Sequence, residues 1–285
     1  MKKSRLFAII AVFVVVVFIF LLSSPFFTLT KVEIGFVDSN NKQVSLLKNQ
    51  KINSQQKINN IIESANFEYG KSIFLLDKNK YTFCLENKNP YLKIVNVSTV
   101  FPNKLYYFAQ ERTPFYFFLV DNDCYVLDTE FKLLEIFDKK DINTNNYVCF
   151  NFFKYSQKID FFNFFNLSKL ALTEGDFLCE NNLLFSSVKN IYPLLKNFFY
   201  DKEVYCIFEE INVIEVSSGV INLELKTHKN NYGVTLLVED SLLNFEKKFN
   251  KILRAFTTLL VKEPIKTTYG VLKINNSFNC FWNNL

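Results

Sequence analysis

The chain has 285 residues, nearly half of them apolar, with 33 basic and 28 acidic residues for a formal charge of +5. Lys2, Lys3 and Arg5 precede a long apolar run, and the rest of the chain holds 30 basic against 28 acidic residues. So neutral a body argues against a nucleic-acid-binding surface, and the length suits about two domains.

In chain order, Leu6 to Leu22 is unbroken apolar sequence, 17 residues long, extended by Phe26 and Phe27 past Ser23-Ser24-Pro25. It exceeds the apolar core of a cleaved signal and sits at the short end of the spanning range. With the basic residues on its N-terminal side, it predicts an uncleaved transmembrane signal anchor over 6–27. A cytoplasmic tail of residues 1–5 would precede it, with the bulk of the chain extracytoplasmic. Phe27-Thr-Leu-Thr-Lys-Val-Glu-Ile reads as a first strand, and Asp38 to Gln56 as a loop. Ile58, Ile61, Ile62 and Ala65 carry helical spacing, with Asn53 or Ser54 as N-cap and Tyr69-Gly70 as the stop.

After a further mixed helical segment, two alternating runs follow. Val95 and Val97 alternate with Asn96 and Ser98; Leu105, Tyr107 and Ala109 alternate with Lys104, Tyr106, Phe108 and Gln110. Phe101-Pro-Asn between them predicts a turn, so the stretch from Gly70 to Pro114 reads as a helix followed by a hairpin. Phe115–Val120 and Cys124–Asp128 predict a second hairpin over Asp121-Asn-Asp. Asp138 to Asn166 shows no clean period and reads only as strand, loop and a helix starting near Ser156. A helix is predicted over 183–199, and strands over 204–208, 213–225 with a turn at Ser218-Gly219, and 232–238. The clearest amphipathic helix spans Ser241–Val261, capped by Ser241. Its apolar stripe is Leu242, Phe245, Phe249, Ile252, Phe256 and Leu259 or Leu260; its polar face, Glu246, Lys247, Lys248, Lys251 and Arg254, reads as solvated. Two last strands, Tyr269–Ile274 and Ser277–Trp282, flank Asn275-Asn276, and a strand so placed tends to lie on a sheet edge.

Catalytic and metal-binding patterns are missing from the sequence. The one histidine, His228, lies in a polar Thr-His-Lys-Asn-Asn turn, and no phosphate loop, zinc-protease helix or nucleophile elbow occurs. Cys84, Cys124, Cys149, Cys179, Cys206 and Cys280 contain no Cys-x-x-Cys pair; an even count permits disulfides, while buried free thiols suit a chain of this size. The sequence therefore predicts no enzyme, no cofactor and no metal. Location alone would allow an anchored extracytoplasmic cell-wall enzyme as the alternative.

The order of parts resembles the bacterial cell-division family FtsQ/DivIB. The resemblance is carried by Phe27-x-Leu-x-x-Val-Glu-Ile, Gly70-Lys-Ser-Ile-Phe, Asn89-Pro-Tyr-Leu-Lys, Val95-x-Val, Phe101-Pro-Asn-x-Leu, Glu111-Arg-x-Pro, Val126-Leu-Asp128 and Tyr232-Gly-Val-x-Leu. It implies an α+β fold class: a single N-terminal transmembrane helix, a POTRA domain over 28–113 and a mixed β-sheet domain over 114–285 with flanking helices and an edge C-terminal strand. It further implies a non-enzymatic scaffold at the division septum, with another POTRA-type interaction protein as the alternative. That scaffold would bind small bitopic FtsL- and FtsB- or DivIC-like proteins, with septal peptidoglycan synthase components as further partners, and regulate septal cell-wall synthesis. In the family the partner adds to the edge of the β domain. Here the matching positions are Lys273, Ile274, Asn276, Ser277, Phe278, Asn279, Cys280, Phe281 and Trp282. Lys273 would meet an acidic partner side chain, and Trp282 would be either an interface anchor or ordinary core.

Overall fold

The computed structural model describes residues 2–38, 42, 55–141, 147–165, 172–178, 189–199, 207–228, 233–262 and 270–284. The proposed caps Asn53 and Ser54, strand residues 204–206, Tyr232 and Tyr269, and two cysteines, Cys179 and Cys206, lie outside them. The chain forms two compact units, Met1–Arg112 and Thr113–Leu285.

The first unit begins with helix α1 (Lys2–Ser23) and a 3-10 turn at Pro25–Phe27, where the Ser24 hydroxyl accepts from the Phe26 N–H. The expected transmembrane helix over 6–27 is corrected here: among the described residues no helix is long and apolar enough to cross a membrane. Two features of the sequence account for this. The apolar run of 17 residues rises only about 26 Å as a helix, against a hydrocarbon core of about 30 Å. Ser23, Ser24 and Pro25 then end the run, because proline cannot continue an α-helix's hydrogen bonding.

Strand β1 (Lys31–Phe36), helices α2 (Gln55–Ser64) and α3 (Lys78–Lys88), and strands β2 (Leu92–Val100) and β3 (Lys104–Glu111) complete the unit. The sheet order is β1-β3-β2, with β1 parallel to β3 and β2 antiparallel to it. The helices supply Ile61, Tyr81 and Leu85 to a core with Leu29, Val32, Ala65, Leu105 and Tyr107. Asp77 starts α3 by accepting from the Asn79 and Lys80 amides, and the buried Arg112 closes the unit by donating from Nε to the Leu92 carbonyl. Gly70 has a positive φ of 82°, but α2 stops at Ser64 and Asn66, with φ 51°, makes the left-handed turn after it. The alternation in β2 is interrupted by a bulge between Ile94 and Asn96, so Val95 turns outward instead of joining the core face.

Among the described residues, the second unit is built on one ten-stranded sheet. Its strands are β4 (Pro114–Val120), β5 (Asp123–Asp128), β6 (Leu133–Asp138), β7 (Val148–Lys154), β8 (Gln157–Ile159), β9 (Phe208–Ser217), β10 (Val220–Thr227), β11 (Val234–Val238), β12 (Gly270–Ile274) and β13 (Cys280–Asn284). The order runs β13-β12-β11-β10-β9-β7-β4-β5-β6, with β8 beside β7. Register aligns Phe118, Phe150, Ile211, Leu225, Leu236, Leu272 and Trp282 in one row across seven strands. That face is covered by helices α4 (Phe161–Phe165), α5 (Ile191–Phe198) and α6 (Phe245–Lys262), which contribute Phe161, Ile191, Leu195, Phe249, Ile252 and Phe256.

The opposite face holds a smaller cluster of Phe117, Cys124 and Val126, and a hydrogen-bonded polar row. Asn151 Nδ2 donates to Asn212 Oδ1 at 3.0 Å, and Asn212 Nδ2 to Glu224 Oε2 at 2.6 Å. Cys84, Cys124, Cys149 and Cys280 are free thiols. Cys124 on β5 and Cys149 on β7 flank β4 and are offset by two residues in register, so they stand more than two strand spacings, about 9.6 Å, apart and beyond the reach of a disulfide.

Candidate functional site

The nine residues singled out at the C-terminal end fall on β12, β13 and the turn between them, and among the described residues β13 lies at one edge of the sheet. The turn is held by Asn275, whose Oδ1 accepts from the Ser277 and Asn279 amides while its own N–H donates to the Asn279 carbonyl. Antiparallel pairs alternate between bonded and non-bonded. Counting from the bonded Asn275–Asn279 pair, Lys273–Phe281 is bonded and Ile274–Cys280 is not. The Cys280 main-chain groups therefore point away from β12, toward the outer side of the sheet.

Individual side chains differ from their expected roles. Lys273 does not stand ready for a partner: its Nζ lies 2.6 Å from Glu239 Oε1. Ile274 is fully buried in the core. Asn276 Oδ1 accepts from the buried Lys248 ammonium at 2.6 Å, which also donates to the Glu239 and Asp240 carbonyls at 2.8 Å each. Ser277 and Asn279 are exposed at the turn, and Phe278 adopts a left-handed φ of 60°. Phe281 is 47% exposed, on the face turned away from α6.

Trp282 is the last member of the core row. It is half-buried, and its ring lies over Gly270, where an added Cβ would come within 2.6 Å of the ring and 2.5 Å of the Asn283 carbonyl. A backbone oxygen cannot step aside as a side chain can. Gly270→Ala is therefore expected to displace β13, costing about 1–3 kcal/mol of stability and shifting the emission of Trp282 to the red. An unchanged melting temperature together with unchanged emission would refute this close packing.

Sequence reasoning missed the other wall of the site. A groove of about 590 Å³ runs beside β13, lined by Lys247, Asn250, Lys251, Arg254, Ala255 and Thr258 of α6 and by Cys280. Three of the basic residues read as a solvated face thus line a concave surface against the edge strand. Their spacing at 247, 251 and 254 follows the helical repeat and was visible; that α6 lies beside β13 was not, because it depends on the parallel pairing of β11 with β12. Burial raises the Cys280 thiol's pKa, with Lys251 pulling the other way. His228 Nδ1 lies 3.4 Å from Glu209 Oε2, and among the described residues no group of three His, Cys, Asp or Glu is placed to hold a metal ion. Compared with protein-family models and with curated proteins, the chain matches none.

Proposed function

We propose that the protein is a non-enzymatic scaffold of the FtsQ/DivIB kind, acting at the division septum by taking up an acidic segment of a small FtsB- or DivIC-like partner along β13. One observation carries the reading: the strand that ends the sheet turns the Cys280 main chain outward next to a groove lined by Lys247, Lys251 and Arg254. An added strand would gain main-chain hydrogen bonds from that edge, and its carboxylates would gain the basic wall of α6. The order of elements in the first unit, strand, two helices, then an antiparallel pair, is that of the POTRA domain the resemblance implies, and it supports the same reading.

The test is co-purification of the tagged full-length chain with the FtsB- or DivIC-like protein from the same genome. Cys280→Pro removes an outward N–H without touching a β12 hydrogen bond, a position where an edge strand tolerates proline. Combined with Lys251→Glu, it is expected to reduce recovery of the partner about tenfold or more, equivalent to about 1.4 kcal/mol. Lys273→Glu, at a residue already engaged by Glu239, is expected to do less. Full recovery with the double variant, at an unchanged melting temperature, would sink the edge-strand reading.

A further inference from the structure

The first unit carries an exposed aromatic cluster that the proposed scaffold role leaves unused. Three separate pieces of chain meet at one end of it: the 3-10 turn Pro25–Phe27, the loop at 73–76, and the turn after β2. Phe26 and Phe27 ring centroids are 5.1 Å apart, Phe27 and Phe74 5.5 Å, and Phe74 and Phe101 6.0 Å. Phe26 is 64% exposed, Phe101 63% and Phe74 45%, with Leu75 and Val100 also exposed beside them.

These loops are tied together by the backbone. The Ile73 N–H donates to the Phe27 carbonyl at 2.8 Å, Leu29 N–H to Lys71 O at 2.8 Å, Gly70 N–H to Leu29 O at 2.9 Å and Thr30 N–H to Asn103 O at 2.9 Å. A row of large apolar side chains held outward by a fixed frame is costly in water and calls for a cover.

We infer that this end of the first unit seats its aromatic tips in the headgroup and acyl boundary of a lipid surface. The argument for lipid is continuity. The cluster follows directly on α1, joined through the Ser24 N–H donating to the Phe20 carbonyl, and Phe7, Val12, Phe13, Phe18 and Phe20 of α1 are themselves exposed. The two apolar surfaces are consecutive in the chain, and one apolar medium covers both. The contact does not call on charge: Lys71, just before the loop at 73–76, is within ion-pair distance of Glu68, and Lys78 donates to Thr99 Oγ1 at 2.6 Å. The contact should therefore form on zwitterionic lipid and survive salt. It stands or falls independently of any partner at β13.

Depth-dependent fluorescence tests it on the full-length chain. Trp282, the only tryptophan, is changed to phenylalanine, and a single tryptophan is placed by Phe101→Trp or, in a second protein, Phe74→Trp. A third places it by Val95→Trp, further back along β2 at the exposed bulge. In vesicles of phosphatidylcholine brominated on the acyl chains, tryptophan at 101 and at 74 is expected to be quenched roughly twofold or more relative to unbrominated vesicles, with blue-shifted emission, while that at 95 is not. Quenching at 101 and 74 no greater than at 95 would overturn the inference and leave the cluster to a protein partner. Quenching that disappears in 1 M salt, about a 3 Å screening length, would overturn it too, since an apolar wedge does not depend on charge.

Discussion

Replacing Lys248 by methionine is expected to cost about 2–5 kcal/mol of stability, the largest effect of any single substitution on the polar side of α6. The side chain is fully buried, and its three N–H donors reach the Glu239 carbonyl, the Asp240 carbonyl and Asn276 Oδ1 at 2.8, 2.8 and 2.6 Å. An ammonium has three donors and no acceptor, so the group is fully satisfied. Burial nevertheless pulls its pKa below the ordinary lysine value, which shows that the charge is held at a cost. The loss on substitution comes mainly from three stranded acceptors. Two belong to the connection between β11 and α6 and the third to the turn between β12 and β13. Lys248→Met should therefore lower the urea midpoint and also speed amide exchange in β12 and β13 more than in β4 and β5. A change below about 0.5 kcal/mol, the range of an ordinary surface substitution, would show that the ammonium's bonds are replaced by water.

The second large effect is alkaline. Cys124 is fully buried on the sheet face away from the helices, and burial pushes its thiol from 9.0 up to about 12. Cys149, half-buried on the same face, is raised to about 12 for the same first reason, with Glu210 adding to it. The folded protein holds both thiols protonated where the unfolded chain ionises them. Stability from this source is complete below pH 9 and falls as pH rises toward 12, by up to about 4 kcal/mol for the fully buried Cys124. Cys124→Ala is expected to lose a modest amount at pH 7 and then decline less steeply than the wild type between pH 9 and 11 in urea titrations. Parallel declines in the two proteins would place the alkaline sensitivity elsewhere.

Legibility in the sequence followed from whether a segment has two unlike faces. β3 has a buried face of Leu105, Tyr107 and Ala109 and a wetter one of Lys104, Tyr106 and Phe108, and its alternation placed it correctly. β10 and its turn at Gly219, with φ 76°, were equally plain. β7 was read only as an unplaced strand within 138–166, for the opposite reason. It lies inside the sheet between β4 and β9, parallel to both, and Val-Cys-Phe-Asn-Phe-Phe-Lys is mostly apolar on its two faces, so no period of two survives. The helix expected near Ser156 is instead the short β8 and the five-residue α4.

Ser241 illustrates a different failure. It suits an N-cap by type, yet α6 starts at Phe245, and the Ser241 hydroxyl donates to the Ile221 carbonyl of β10 at 2.9 Å. A side chain's long-range partner overrode its local preference. The same holds for Lys273 and Glu239, which are distant in sequence and adjacent across β11 and β12. The apolar N-terminal run misled through length, a few residues short of what its composition suggested.

The parallel pairing of β1 with β3 has a mechanical consequence. α1 leads into the start of β1, and the chain leaves the first unit after the end of β3. Because the two strands run the same way, tension between those points pulls them past each other along their length. Six register pairs, from Lys31–Lys104 to Phe36–Ala109, then carry the load together, where an antiparallel hairpin pulled from its open end would peel one pair at a time. The small sheet is thus arranged as a lap joint, suited to bearing tension between whatever holds α1 and whatever follows Arg112.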